Sequence, residues 1–180
     1  MRAPRAAAFF VAFQCAIVGA AGTSSSIAFA QQSPTVAAKT VAPGILVAGS
    51  ITPADIAAFK ANGVSLIVDL LPDEEASPQA RSAPIEAAAR QAGIDFVYAP
   101  TPSSPLSMKA VELVGKALAV GGRPALLYCR SGARGTRAWA LYEASRPGGL
   151  DAAAISRAAA AAGYSVEDVR AEIERRIAAR

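Results

Sequence analysis

Pro124-Ala125-Leu126-Leu127-Tyr128-Cys129-Arg130-Ser131-Gly132-Ala133-Arg134 is the stretch that decides the fold. Its first five residues form an apolar run of strand length. From Thr136 to Ser145 the apolar residues fall at helical spacing. Cys129 to Arg134 must then be a tight loop, with Cys129 at the carboxyl end of a strand. Open α/β sheets bind ligands at that end. The loop feeds a helix N-terminus, whose unpaired N–H groups and dipole attract anions. Gly132 permits the positive φ that turns backbone amides inward. Arg134 can fork onto two oxygens of an anion, and the same field favours the thiolate of Cys129. Cys129 and Arg134 are therefore the candidate catalytic pair. Arg130, Ser131, Gly132, Ala133 and Gly135 are the candidate anion-binding loop.

Composition narrows the chemistry. The 180 residues include two cysteines and no histidine. Without histidine there is no Ser-His-Asp or Cys-His activation and no usual zinc site, and the Cys129 chemistry implies neither metal nor cofactor. Arg2 and Arg5 precede an apolar run, Ala6 to Val18, broken only by Gln14, and Ala28-Phe29-Ala30 follows. This is the layout of a cleaved secretory signal over residues 1–30, which implies a bacterial periplasm. The run is shorter than the roughly 20 residues of a membrane span, so no span is expected after cleavage. Cys15 leaves with the signal, and Cys129 becomes the lone thiol, with no internal disulfide. Losing two arginines and no acid takes the net charge from +4 to +2. The charges are scattered, without a basic stripe, which speaks against a nucleic-acid partner.

Gln31 to Pro43 is small and polar and reads as a mobile leader. Residues 44–180, in a chain that is 53% hydrophobic, read as one domain with a sizeable core. Gly44–Ala48 is a short strand. Thr52 with Pro53 and Asp55 resembles a capping box that opens a helix. Val64–Leu71 is an apolar run interrupted by Ser65 and Asp69, close to the pattern of a buried parallel strand. A helix from Ser82 to Ala92 and a strand from Ile94 to Ala99 follow. Pro100–Pro105 is a proline-rich loop, and Ser107–Val120 is a helix with Val111, Val114 and Leu118 on its inner face. Trp139 reads as core. Asp151 caps an alanine-rich helix, and Ser165 with Asp168 opens the last one. Strands alternating with helices predict a three-layer α/β sandwich with a mostly parallel sheet.

Four stretches taken together resemble one bacterial family. They are Gly49-Ser50-Ile51-Thr52-Pro53-Ala54-Asp55, Leu70-Leu71-Pro72-Asp73-Glu74-Glu75, Leu127 to Arg134, and Trp139-Ala140-Leu141. The family is the beta-lactamase hydrolase-like protein, phosphatase-like domain, within the rhodanese and cysteine-dependent phosphatase superfamily. The resemblance runs from about Ile45 to Arg176 and implies a rhodanese/dual-specificity-phosphatase-like sandwich with a cysteine nucleophile. The family carries an arginine before the Pro-Asp pair, where this chain has Leu71.

The superfamily offers two reactions. Cys129 and Arg134 enclose four residues; cysteine phosphatases enclose five, and rhodaneses have the shorter loop. Phosphatases of this type take a general acid from the loop after the preceding strand, but Pro100–Pro105 holds no carboxylate. Both observations favour a periplasmic sulfurtransferase. Its Cys129 thiolate takes the outer sulfur of a small oxyanion such as thiosulfate, or of a persulfide donor, and passes it to a thiol acceptor. The alternative is a tyrosine or dual-specificity phosphatase with a Cys129 phosphoenzyme. A third class is a non-catalytic module that binds anions or persulfides. Asp73, Glu75 and Arg137 are candidates for the mouth of the site, and Asp73 to Glu75 also suit a solvated acidic loop.

Overall fold

The computed structural model describes residues 35–180. The expected signal, residues 1–30, lies outside the described residues. Among the described residues, five strands form one sheet: β1 (Lys39–Ala42), β2 (Ile45–Ala48), β3 (Leu66–Asp69), β4 (Asp95–Tyr98) and β5 (Ala125–Tyr128). Their spatial order is β1-β2-β5-β3-β4, parallel throughout except for the antiparallel β1–β2 pair. Six α-helices among the described residues cover the sheet: α1 (Ile56–Ala61), α2 (Ser82–Gln91), α3 (Met108–Ala119), α4 (Ala133–Ser145), α5 (Ala152–Ala161) and α6 (Arg170–Ala179). This is the expected three-layer sandwich.

The two-residue period of the strands splits the core in two. Val47, Leu66, Val68, Ala125 and Leu127 face α3 to α6, where Val114, Trp139, Ile155 and Ile173 meet them. Ala48, Ile67, Leu126 and Tyr128 face Phe59 of α1 and Ile85 of α2. β3 and β5 are central and buried at all four positions, which is why they read as nearly continuous apolar runs. The edges are kept from pairing further by charge: Lys39 on β1, and Asp95 on β4 paired with Arg123. No helix among the described residues is long and apolar enough to cross a membrane.

Three expectations need correction. The leader expected over Gln31–Pro43 does not reach Pro43, because Lys39–Ala42 is an edge strand. It buries only Val41 and leaves Lys39 and Thr40 exposed, so its composition resembles a tail. The strand expected over Val64–Leu71 is shorter. After Asp69, the Leu70 N–H still reaches the Tyr128 carbonyl at 2.9 Å, but the Leu71 N–H turns back onto Asp69 Oδ1 at 2.8 Å. The helix expected at Thr52 begins as a 3-10 turn, Pro53–Asp55, that runs into α1. There the Asp55 carboxylate accepts both the Thr52 N–H and hydroxyl at 2.9 Å.

Candidate active site

β5 delivers Cys129 to the carboxyl edge of the sheet, where the Cys129 N–H still bonds the Ala48 carbonyl at 3.4 Å. The chain then turns sharply. Gly132 is the residue before α4 and sits at φ +93°. An L side chain is strained there, and a Cβ at this position would also collide with the Tyr164 hydroxyl. The turn brings the Gly132 N–H to 3.2 Å from Cys129 Sγ. The N–H groups of the first turn of α4 have no carbonyl partner within the helix, so they and the dipole make this side of the loop electropositive. Cys129 is 1% exposed. Arg130 and Ser131 form the outer rim, and Gly135 packs against Leu127.

Arg134 enters from the first turn of α4 and is only 5% exposed. One terminal nitrogen donates to Glu75 Oε2 at 2.5 Å, and the other reaches the Leu70 carbonyl at 3.5 Å. Arg130, more exposed, donates to the Glu75 carbonyl oxygen at 3.1 Å. The 3-10 turn Asp73–Glu75 after β3 therefore lies over the arginine side of the Cys129 loop. An open cleft next to it is lined by Pro72, Glu74, Glu75, Tyr98, Pro100 and Thr101. On the opposite side, the Tyr164 phenol donates to the Ser131 carbonyl at 3.0 Å. Burial, and then the charge of Cys129, hold that phenol above its ordinary range.

The three mouth candidates separate. Glu75 is at the site, as the counter-charge of Arg134. Asp73 is turned away: its two oxygens accept the Ser82 N–H at 2.7 Å and the Ser82 hydroxyl at 2.8 Å, which caps α2. Arg137 is held by Asp168 at 2.5 Å and by the Ala133 carbonyl at 3.3 Å, bracing the start of α4. Of the acidic run, Glu74 is exposed, while Asp73 and Glu75 are half-buried by these contacts. In the loop after β4, the Thr101 hydroxyl accepts the Ser107 N–H at 2.7 Å and starts α3.

Two residues at this edge carry no sequence signal. Tyr164 follows Gly163 behind α5, and an aromatic there reads as an ordinary helix-end contact. Asp69 looks like a break in an apolar strand. It is fully buried opposite Tyr128, and burial pushes its carboxyl up to about 7, against the partial relief of the Tyr128 hydroxyl. Neither Asp69 Oδ2 nor the Tyr128 hydroxyl completes a well-formed hydrogen bond.

The family described as beta-lactamase hydrolase-like protein, phosphatase-like domain, matches residues 37–146. Among solved structures, a protein of Neisseria meningitidis provisionally named a phosphatase is 26% identical, with TM-score 0.64 over 77% of this chain and 96% of that one. A provisionally named phosphatase of Shewanella putrefaciens is 21% identical, with TM-score 0.62 over 79% and 91%. A kinase-associated phosphatase, solved with serine in place of its catalytic-site cysteine, is 12% identical, with TM-score 0.66 over 84% and 99%. At such low identity the last two show a shared fold alone. No curated protein matches the chain.

Proposed function

We propose that this chain, which belongs to the beta-lactamase hydrolase-like protein, phosphatase-like domain family, hydrolyses phosphate monoesters through a phosphorylated Cys129. Its fold is that of the cysteine-dependent phosphatases. The observation that carries the reading is the pairing of Cys129 Sγ with a helix N-terminus and a buried arginine at the carboxyl end of the central strand. That cradle suits an anion with several oxygens around one atom.

In the first step Cys129 Sγ attacks phosphorus. The ester P–O bond breaks, and its electron pair stays on the leaving oxygen. Loop N–H groups and Arg134 hold the non-bridging oxygens. Water then attacks the phosphocysteine, the P–S bond breaks, and the thiolate returns with release of phosphate. With no carboxylate between Pro100 and Pro105, the leaving oxygen takes its proton from solvent.

The sulfurtransferase expectation gives way here, because the phosphatase neighbours fit the alternative better than the first reading. Two observations still favour sulfur transfer as the second reading: only four residues separate Cys129 from Arg134, and Pro100–Pro105 holds no carboxylate. A series of aryl phosphates tests the choice. Hydrolysis should fall steeply as the leaving phenol becomes more basic, since nothing on the loop after β4 protonates it. Thiosulfate in parallel should leave no sulfur on Cys129. Stable uptake of one sulfur, discharged by a thiol, with no phosphate released from any ester, gives the site to sulfur transfer. The signal-like first 30 residues support a periplasmic location. Secretion from a bacterial host should yield a chain that starts at Gln31, and an intact Met1 in the cytosol refutes it.

A further inference from the structure

The peptide unit between Ser131 and Gly132 is hydrogen-bonded at both ends. Its N–H donates to Cys129 Sγ at 3.2 Å. Its carbonyl accepts the Tyr164 phenol at 3.0 Å. Amide resonance couples the two: a hydrogen bond on the carbonyl draws density from nitrogen to oxygen and makes the N–H a stronger donor. We propose that Tyr164 is a positioning residue that stabilises the Cys129 thiolate through this single peptide unit.

Several features hold the phenol in place. The Gly163 N–H bonds the Ala160 carbonyl and the Tyr164 N–H bonds the Ala159 carbonyl, both at 2.9 Å, which fixes the turn after α5. Asp168, just before α6, is tied to Arg137 of α4. Gly132 has no Cβ to push the phenol away. Tyr164 lies beyond the matched residues 37–146, so the C-terminal helices would contribute to a site whose nucleophile lies within them. The other charged groups around this relay are Arg134 with Glu75 on it, the exposed Arg130, and Lys39, whose ammonium is 5.9 Å from the Tyr164 ring centre. All of them survive a Tyr164→Phe exchange, so that exchange reports the hydroxyl alone. The proposal holds for phosphoryl or sulfur transfer, because both need the thiolate.

The test is titration of Cys129 in the full chain by ultraviolet thiolate absorbance, with the Cys129→Ser chain subtracted to remove Cys15. In Tyr164→Phe the midpoint should rise by about half a pH unit, roughly threefold less thiolate below the midpoint. The thermal midpoint should stay close to wild type. Tyr164→Leu should show the same rise and a lower thermal midpoint, since it also loses the ring. A Phe chain that titrates like wild type, whatever Leu does, reduces Tyr164 to packing and overturns the proposal. A second readout needs no titration. The Gly132 amide proton should move upfield in the Phe chain, and an unmoved resonance also overturns it. Absence of phosphate hydrolysis in the unmodified chain, with the thiolate shift present in the Phe chain, would instead count against the proposed reaction and leave the role of Tyr164 standing.

Discussion

The loops after β3 and β5 leave the sheet side by side, from residues Asp69 and Tyr128 that face each other in register. The β5 loop concentrates its chemistry in six consecutive residues around one candidate anion site. The end of β3 and the loop after it turn three acids in three directions. Asp69 is buried against Tyr128, Asp73 caps α2, and Glu75 neutralises Arg134. One loop builds the cradle and its neighbour supplies the counter-charge. A cradle assembled from adjacent residues is visible in sequence, whereas its counter-charge depends on which strand lies next to it.

The largest effect should come from the cradle. Arg134→Lys keeps a positive charge but loses the fork, and kcat/KM for an aryl phosphate should fall by about a thousandfold. A loss below tenfold would mean that backbone N–H groups hold the anion alone. On the β3 side, the next largest effect concerns stability. The Asp69 carboxyl sits at about 7 in the fold against an ordinary 3.8. Between those values the unfolded chain gives up a proton that the folded chain keeps, so stability falls as pH rises. Above about pH 7 the full cost is present, up to roughly 4 kcal/mol. Asp69→Asn should therefore be more stable than wild type near pH 8 and about equal near pH 4 in denaturant melts. An equal gain at both pH values would assign the effect to packing.

What the sequence made legible follows the same division. Val111, Val114 and Leu118, the β5 run and the Cys129-to-Arg134 loop all work through neighbours at fixed spacing, so period and motif sufficed. In sequence β1 reads as leader, because a four-residue edge strand that buries only Val41 hardly differs from a polar tail. Asp73 and Glu75 stand two residues apart in one acidic run, and nothing local says that one faces Ser82 and the other Arg134. Tyr164 reaches Ser131 across 33 residues, a contact that only the packing of α5 beside the loop creates. The reaction expected from the sequence rests on loop length and a missing acid, and neither feature measures the whole fold.

Two smaller effects sharpen the comparison. Glu75→Gln keeps an acceptor for Arg134 and removes the charge that competes with an oxyanion. Inorganic phosphate should then bind about tenfold more tightly by calorimetry. Unchanged affinity would mean that Glu75 only orients the guanidinium. Asp73→Ala should cost about 1 kcal/mol of stability through the lost cap and leave turnover within about twofold. A much larger loss of turnover would return Asp73 to the mouth of the site.

The most direct measurement of the central claim is to quench the enzyme acidically during turnover of an activated aryl phosphate and weigh the Cys129 peptide. It should carry one phosphoryl group, lost in the Cys129→Ser chain together with all turnover while the fold persists. Turnover with Cys129 unmodified, or full activity in the serine chain, would contradict the account.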